Sequence, residues 1–213
     1  MSGWLGAAAS FLGMWVVMMV AMMLPSLVPM LWRYREAVGT TAASAKATAS
    51  CAEAPRRRGE TSLGRLTALV GVGYFFVWTV FGMAVFPLSA ALARATPITV
   101  GLVVLLAGSL QFTTWKAHHL ACCREAGRDR VPADAGTAWR HGLRLGLHCA
   151  KCNVGLMAIL LGLGVMDLRA MVVVAAAITV ERLAPAGERV ARATGAVALG
   201  AGFFLIARAA GLG

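Results

Sequence analysis

Apolar runs separated by clusters of basic residues set the rhythm of this chain. Residues 2–32 carry no charged side chain, a longer stretch than the roughly 20 residues a helix needs to cross the hydrocarbon of a bilayer. Further charge-poor runs follow, and together they predict spans at approximately residues 4–32, 66–93, 97–115, 145–166, 168–184 and 193–212. Lys151 interrupts the fourth, and the fifth, which ends at Glu181 and Arg182, has the weakest pattern. Unpaired backbone groups are costly in lipid, so these spans are expected as helices and not as open sheet. The predicted fold class is all-α, a polytopic transmembrane helical bundle of about six spans forming one membrane domain over residues 1–213.

Composition agrees with the pattern: 59% hydrophobic against 14% charged residues is too apolar for a soluble globule of this length. A cleavable signal peptide is a poor account of the first run, which lacks a basic leading region and exceeds the usual length. Between residues 33 and 65 the chain is rich in Ala, Thr, Ser and Arg, which predicts a flexible cytoplasmic loop without a core of its own. No internal repeat or second domain is evident.

The net charge of +11 lies almost wholly in alternate connections. Sixteen Lys and Arg fall between spans one and two, between three and four, or after five; only Arg94, Arg169 and Arg208 fall on the other side. The bias places both termini in the periplasm of a bacterial cytoplasmic (inner) membrane. Basic loops of this kind meet anionic lipid headgroups of the bilayer, so nucleic acid is not expected as a partner.

Candidate chemistry lies in His118, His119, Cys122 and Cys123, then in His148, Cys149 and Cys152. His118 with Cys122, His119 with Cys123 and His148 with Cys152 are i,i+4 pairs, so each shares a helix face. Cys149 and Cys152, at i,i+3, do the same. Measured inward from the basic edges, at about 1.5 Å per residue, Met22 and the Cys149/Cys152 pair reach similar depth. Met18, Met22, Met23, Gln111, Lys151 and Glu181 are secondary candidates at the same level. Thiolate and thioether suit Cu(I), and imidazole suits copper, zinc, iron or nickel. Copper is the favoured ion, with zinc or iron as alternatives.

Several residues have simpler readings. Met14 and Met30 read as packing, Cys51 as incidental, and His141 as a headgroup contact. Glu181 and Arg182 read equally as an interfacial ion pair or as a ligand or proton relay, while Asp167 and Arg169 read as a solvated turn. Pro25 is expected to kink the first helix. Gly155, Gly162, Gly164, Gly195, Gly200 and Gly202 read as close helix packing.

The pieces Met18-Met19-Val20-Ala21-Met22-Met23-Leu24-Pro25-Ser26, Gln111-Phe112-Thr113-Thr114-Trp115-Lys116, Cys123-Arg124, His148-Cys149-Ala150-Lys151-Cys152 and Gly164-Val165-Met166-Asp167-Leu168 with Glu181-Arg182 resemble the bacterial family of predicted metal-binding integral membrane proteins, the domain-of-unknown-function 2182 group. The resemblance covers nearly the whole chain and implies membrane location and metal binding. His119 stands where members commonly have Cys, and Asn153 where many have a second adjacent Cys.

The leading functional expectation is metal handling or transfer near the cytoplasmic side, with Cys149, Cys152 and His148 at the centre of the shell. His119 and Cys123, or their neighbours His118 and Cys122, would close it, and Met18, Met22 and Met23 would form a relay. One alternative is a membrane oxidoreductase using a metal centre or a Cys149/Cys152 dithiol. Another is an accessory subunit of a larger membrane enzyme. A metal-delivery or membrane protein partner and a homo-oligomer are both compatible with the pattern. No hydrolase arrangement is evident.

Overall fold

The computed structural model describes residues 2–48, 56–92, 94–125, 134–164 and 167–211. They form α1 (Ser2–Thr48), α2 (Arg56–Leu92), α3 (Pro97–Leu110), α4 (Thr114–Glu125), α5 (Ala135–Leu163), α6 (Leu168–Leu183) and α7 (Gly187–Ala209), and no strand occurs among the described residues. The helical bundle expected from hydropathy is present.

Capping chemistry sets several helix ends. Thr96 accepts from the Thr99 amide and is followed by Pro97, whose missing N–H costs nothing in a first turn. Asp134 accepts from the Gly136 and Thr137 amides, so α5 begins well before the predicted boundary at residue 145. Asp167, expected as a solvated turn residue, is exposed and caps α6. Gly164 ends α5 with φ of +113°, a conformation that glycine adopts without a Cβ clash.

Two departures from the hydropathy reading change where the site lies. First, α1 continues to Thr48 and α2 starts at Arg56, so most of the segment expected as a loop is helical. Good helix formers such as Ala42, Ala43, Ala45 and Lys46 support that extension, and Tyr34 and Val38 are buried against the bundle. Second, the third predicted span is broken, with α3 and α4 meeting at 66°. Thr113 Oγ1 donates to the Leu110 carbonyl at 2.7 Å, and the Gln111, Phe112 and Thr113 amides close tight turns onto Gly108, Ser109 and Leu110. These local bonds compete with a straight helix. The His118–Cys123 segment is therefore not a continuation of α3.

Four helices, α1, α2, α5 and α7, are long and apolar enough to cross a membrane, and the bent α3–α4 pair makes a fifth if counted as one. At 16 residues, α6 rises only about 24 Å, short of the roughly 30 Å hydrocarbon core. By length and composition the described residues thus supply four crossing helices, or five with the bent pair, where about six spans were expected.

The bundle is apolar outside, and its largely apolar core encloses a few polar groups. Val17, Leu106, Val172, Val197 and Phe204 are exposed, whereas Ser26, Gln111, Lys116, Asn153, Glu181 and Arg182 are buried. Close approach of α2 to α5 depends on Gly142, where a Cβ would fall 2.4 Å from the Val70 carbonyl oxygen. Gly101 and Gly108 of α3 similarly meet Gly202 and Gly195 of α7, and Gly155 of α5 meets Ala107 of α3. Gly162 makes only ordinary contacts, and Gly200 faces open space.

Candidate metal centre

Helical spacing gathers the site from five helices. On α1, Met19, Met23, Ser26, Leu27 and Met30 recur at three or four residues and are all buried, as expected for one inward face. On α5, Cys149, Cys152 and Asn153 share the buried face; on α4, Lys116, Leu120 and Cys123 do so. Tyr74 comes from α2, and Glu181 with Arg182 from the end of α6.

Cys149 occupies the centre of this inner cluster. Its Sγ lies 2.8 Å from Tyr74 Oη, receives a hydrogen bond from Asn153 Nδ2 at 3.3 Å, and stands 4.0 Å from Met23 Sδ. The thiols of Cys123 and Cys152 face one another between α4 and α5, near enough to influence each other electrostatically. Arg182 donates from Nη2 to Cys123 Sγ at 3.6 Å and from Nη1 to Ser26 Oγ at 3.3 Å. Lys116 Nζ donates to the Cys152 carbonyl at 2.7 Å and pairs with Glu181 at 2.8 Å. Asn153 Oδ1 and Arg182 Nε have no partner among the described residues. Three thiols and a thioether, buried together with two cations and one carboxylate, are soft donors among polar groups.

The histidines stand apart from this cluster. His118 is exposed, and His119, Cys122 and His148 are half-buried. Cys122 Sγ lies 3.6 Å from His118 Nε2. The ring centroids of His118 and His119 are 5.5 Å apart, and those of His119 and His148 are 6.3 Å apart. Trp115 packs edge-on against His119 at 4.5 Å. Among the described residues, no three His, Cys, Asp or Glu groups already converge on one point. The donors instead stand in pairs.

Burial divides the expected shell, in which Cys149, Cys152 and His148 were to be closed by His119 and Cys123 or by His118 and Cys122. Cys123, Cys149, Cys152, Met23 and Glu181 come together inside, while His118, His119, Cys122 and His148 lie outward of them. Met18 and Met22 are buried on α1 as well, and among the described residues Met23 is the methionine with a sulfur contact to a thiol. Gln111 sits at the α3–α4 break and lines a small cavity with Lys116, Glu188 and Arg192. Lys151, predicted beside the cysteines, is exposed and acts on His119 and His148 instead. Lys116 takes the inner position. His141 stacks on Tyr34 with centroids 5.4 Å apart, and Cys51 lies outside the described residues.

Sequence reasoning missed Tyr74, Lys116, Asn153 and the inward turn of Arg182. Asn153 could have been found from its i+4 relation to Cys149, and Lys116 from its place beside an apolar run. Nothing local marks Tyr74, because its contact depends on which helix packs beside α5.

A family model described as PpoB2, copper chaperone, matches residues 12–205. No curated protein and no solved structure matches the chain.

Proposed function

The chain belongs to the PpoB2 copper chaperone family, and from that premise we propose that it binds Cu(I) at the inner cluster and passes it on, as cargo and not as a resident cofactor. Cys149, Cys152 and Cys123 are the ligands, and Met23 is a weaker one that helps the ion move. The observation that carries this reading is the burial of three thiols from α4 and α5 against a thioether of α1, with Cys149 and Met23 sulfurs 4.0 Å apart. Soft sulfur donors of this kind suit Cu(I) over hard cations.

Charge supports thiolate ligands. Lys116 and Arg182 against Glu181 leave one net positive charge among buried groups. Thiolates formed on metal binding are negative, and this charge offsets part of theirs, which matters where unpaired charge is costly.

The apolar exterior and the few ionisable groups held inside the core support a bacterial cytoplasmic membrane location. Counting α6 as a short crossing gives six, which puts both termini on one side, and the basic connections favour the periplasm for that side. The ion is then received or released at the cytoplasmic edge, in exchange with a protein or small-molecule partner.

The test is anaerobic titration of the purified full-length chain with Cu(I) against a competing chromogenic chelator. One tightly held Cu(I) per chain is expected, and Cys149→Ser or Cys152→Ser abolishes it. Equal copper retention by both variants would overturn the reading.

A further inference from the structure

We propose that His118, Cys122, His119 and His148 form a separate outer station that receives Cu(I) and hands it to the inner thiols by ligand exchange. The inference rests on copper being the cargo of Cys123, Cys149 and Cys152, and it adds a second site to that reading.

Adjacent residues on two helices carry the argument. Cys122 and Cys123 are neighbours on α4, and His148 and Cys149 are neighbours on α5. Successive helical residues diverge by about 100°, so one member of each pair faces inward and the other outward. Burial agrees: Cys123 and Cys149 are wholly enclosed, whereas Cys122 and His148 are half-buried. The fold thus presents two donor sets one residue apart on the same two helices.

The outer donors stand at metal-like spacing. An ion at zinc-like distances of about 2.3 Å from sulfur and about 2.0 Å from imidazole nitrogen holds those two atoms about 3.5 Å apart at a tetrahedral angle, and Cys122 Sγ and His118 Nε2 are separated by 3.6 Å. His119 and His148 each keep a buried Nδ1 without a partner among the described residues. That is an unspent capacity on two rings whose centroids are 6.3 Å apart.

The rim identifies the donor. Arg144 and Lys151, both exposed, act electrostatically on His148. Such a rim repels a bare cation and attracts an anionic carrier, so the station suits Cu(I) delivered as an anionic thiolate complex. At each exchange one copper bond forms as another breaks, and copper stays Cu(I) throughout. Cys122 gives up its thiol proton on coordination, and the departing carrier thiolate takes one up. The return of Cys122 to its thiol accompanies transfer to an inner cysteine, which loses its own proton.

The test uses the full-length chain in detergent under anaerobic conditions, with Cu(I) supplied in excess glutathione, a small anionic thiol. Transfer is followed by stopped-flow absorbance of the copper–thiolate bands, and final copper by elemental analysis. With His118→Gln combined with Cys122→Ser, final copper per chain is expected to match wild type while transfer slows by roughly tenfold, the scale on which loss of a metal-site partner acts. The wild-type rate is also expected to fall as salt screens the rim. An unchanged rate in the double variant overturns the proposal. Loss of bound copper equal to that of Cys149→Ser also overturns it, by showing one shell instead of two. If wild type itself takes up no copper, the inner reading fails and this one falls with it.

Discussion

Lys116 and Glu181 form a buried ion pair at 2.8 Å, and the same ammonium donates to the Cys152 carbonyl at 2.7 Å. One cation thereby joins α4, α5 and α6 directly behind a candidate ligand. Because removing one partner leaves the other's charge buried without its counter-ion, Lys116→Met or Glu181→Leu alone is expected to cost about 3–5 kcal/mol. The double substitution is expected to recover most of that loss, since it removes both members of the pair together. Thermal unfolding in detergent, followed by circular dichroism, distinguishes these outcomes; wild-type stability in either single variant would show that the pair is not holding the helices.

Arg182 reaches Cys123 of α4 and Ser26 of α1 at once, and it supplies the positive charge not matched by Glu181. Arg182→Met should therefore weaken Cu(I) binding by roughly 10–100-fold, whereas Ser26→Ala should change affinity far less. Arg182→Lys restores charge without the two-pronged reach, so partial recovery is expected. Competition titration reads all three, and wild-type affinity for Arg182→Met would remove charge compensation from the account.

At Gly142 the clash is with backbone: a methyl would meet the Val70 carbonyl oxygen at 2.4 Å. Neither helix can yield by rotating a side chain, so Gly142→Ala is expected to destabilise by about 1–3 kcal/mol. Gly200, with nothing within 4 Å of its Cβ position, provides the contrast. Gly200→Ala should be neutral or stabilise by up to about 1 kcal/mol through helix propensity. Paired unfolding curves in the same detergent make the comparison.

Helix type was legible because long apolar runs speak for themselves, and the shared face of Cys149 and Cys152 follows from spacing alone. The bend between α3 and α4 was not, since it depends on hydroxyl and amide bonds around Thr113 that hydropathy does not register. That bend carries Lys116 inward and leaves His118 and His119 near the surface, which is why a single shell read from the sequence became two groups. Arg182 looked interfacial because charges at span ends usually are; only the packing of α6 against α1 and α4 turns it to the thiols. Lys151 misled for the opposite reason, being adjacent to both cysteines in sequence while pointing away from them.

Asp134 outside the bundle offers a pH test. Hydrogen bonds from Thr137, by hydroxyl and amide, and from the Gly136 amide hold its carboxyl below the ordinary value of 3.8. A group whose folded pKa is depressed stabilises fully above its unfolded pKa and loses that contribution as pH falls through the folded one. Loosening of the α5 N-terminus is therefore expected only below about pH 4. Asp134→Asn, which keeps a cap oxygen, should flatten that acid dependence, and Asp134→Ala should loosen the first turn at neutral pH too. Hydrogen exchange at residues 136–138 measures both effects, and an acid transition unchanged in Asp134→Asn would assign it to another group.

The Cys123–Cys152 contact makes the last prediction, since it joins helices that copper is proposed to bridge. In the metal-free chain a mild thiol oxidant such as diamide should form a disulfide between these two residues, the thiols giving two electrons and two protons to the oxidant as the S–S bond closes. Cys149, whose nearest polar partners are Tyr74 and Asn153, should remain a thiol. Peptide mapping is expected to show the bridge in wild type and in Cys149→Ser, and not in Cys152→Ser. Prior loading with one Cu(I) per chain should suppress it, because thiolates committed to the metal are poorly available for exchange. A dominant Cys149–Cys152 bridge would instead favour the sequence-adjacent dithiol and an oxidoreductase role. The inner cluster would then have to be redrawn around α5 alone.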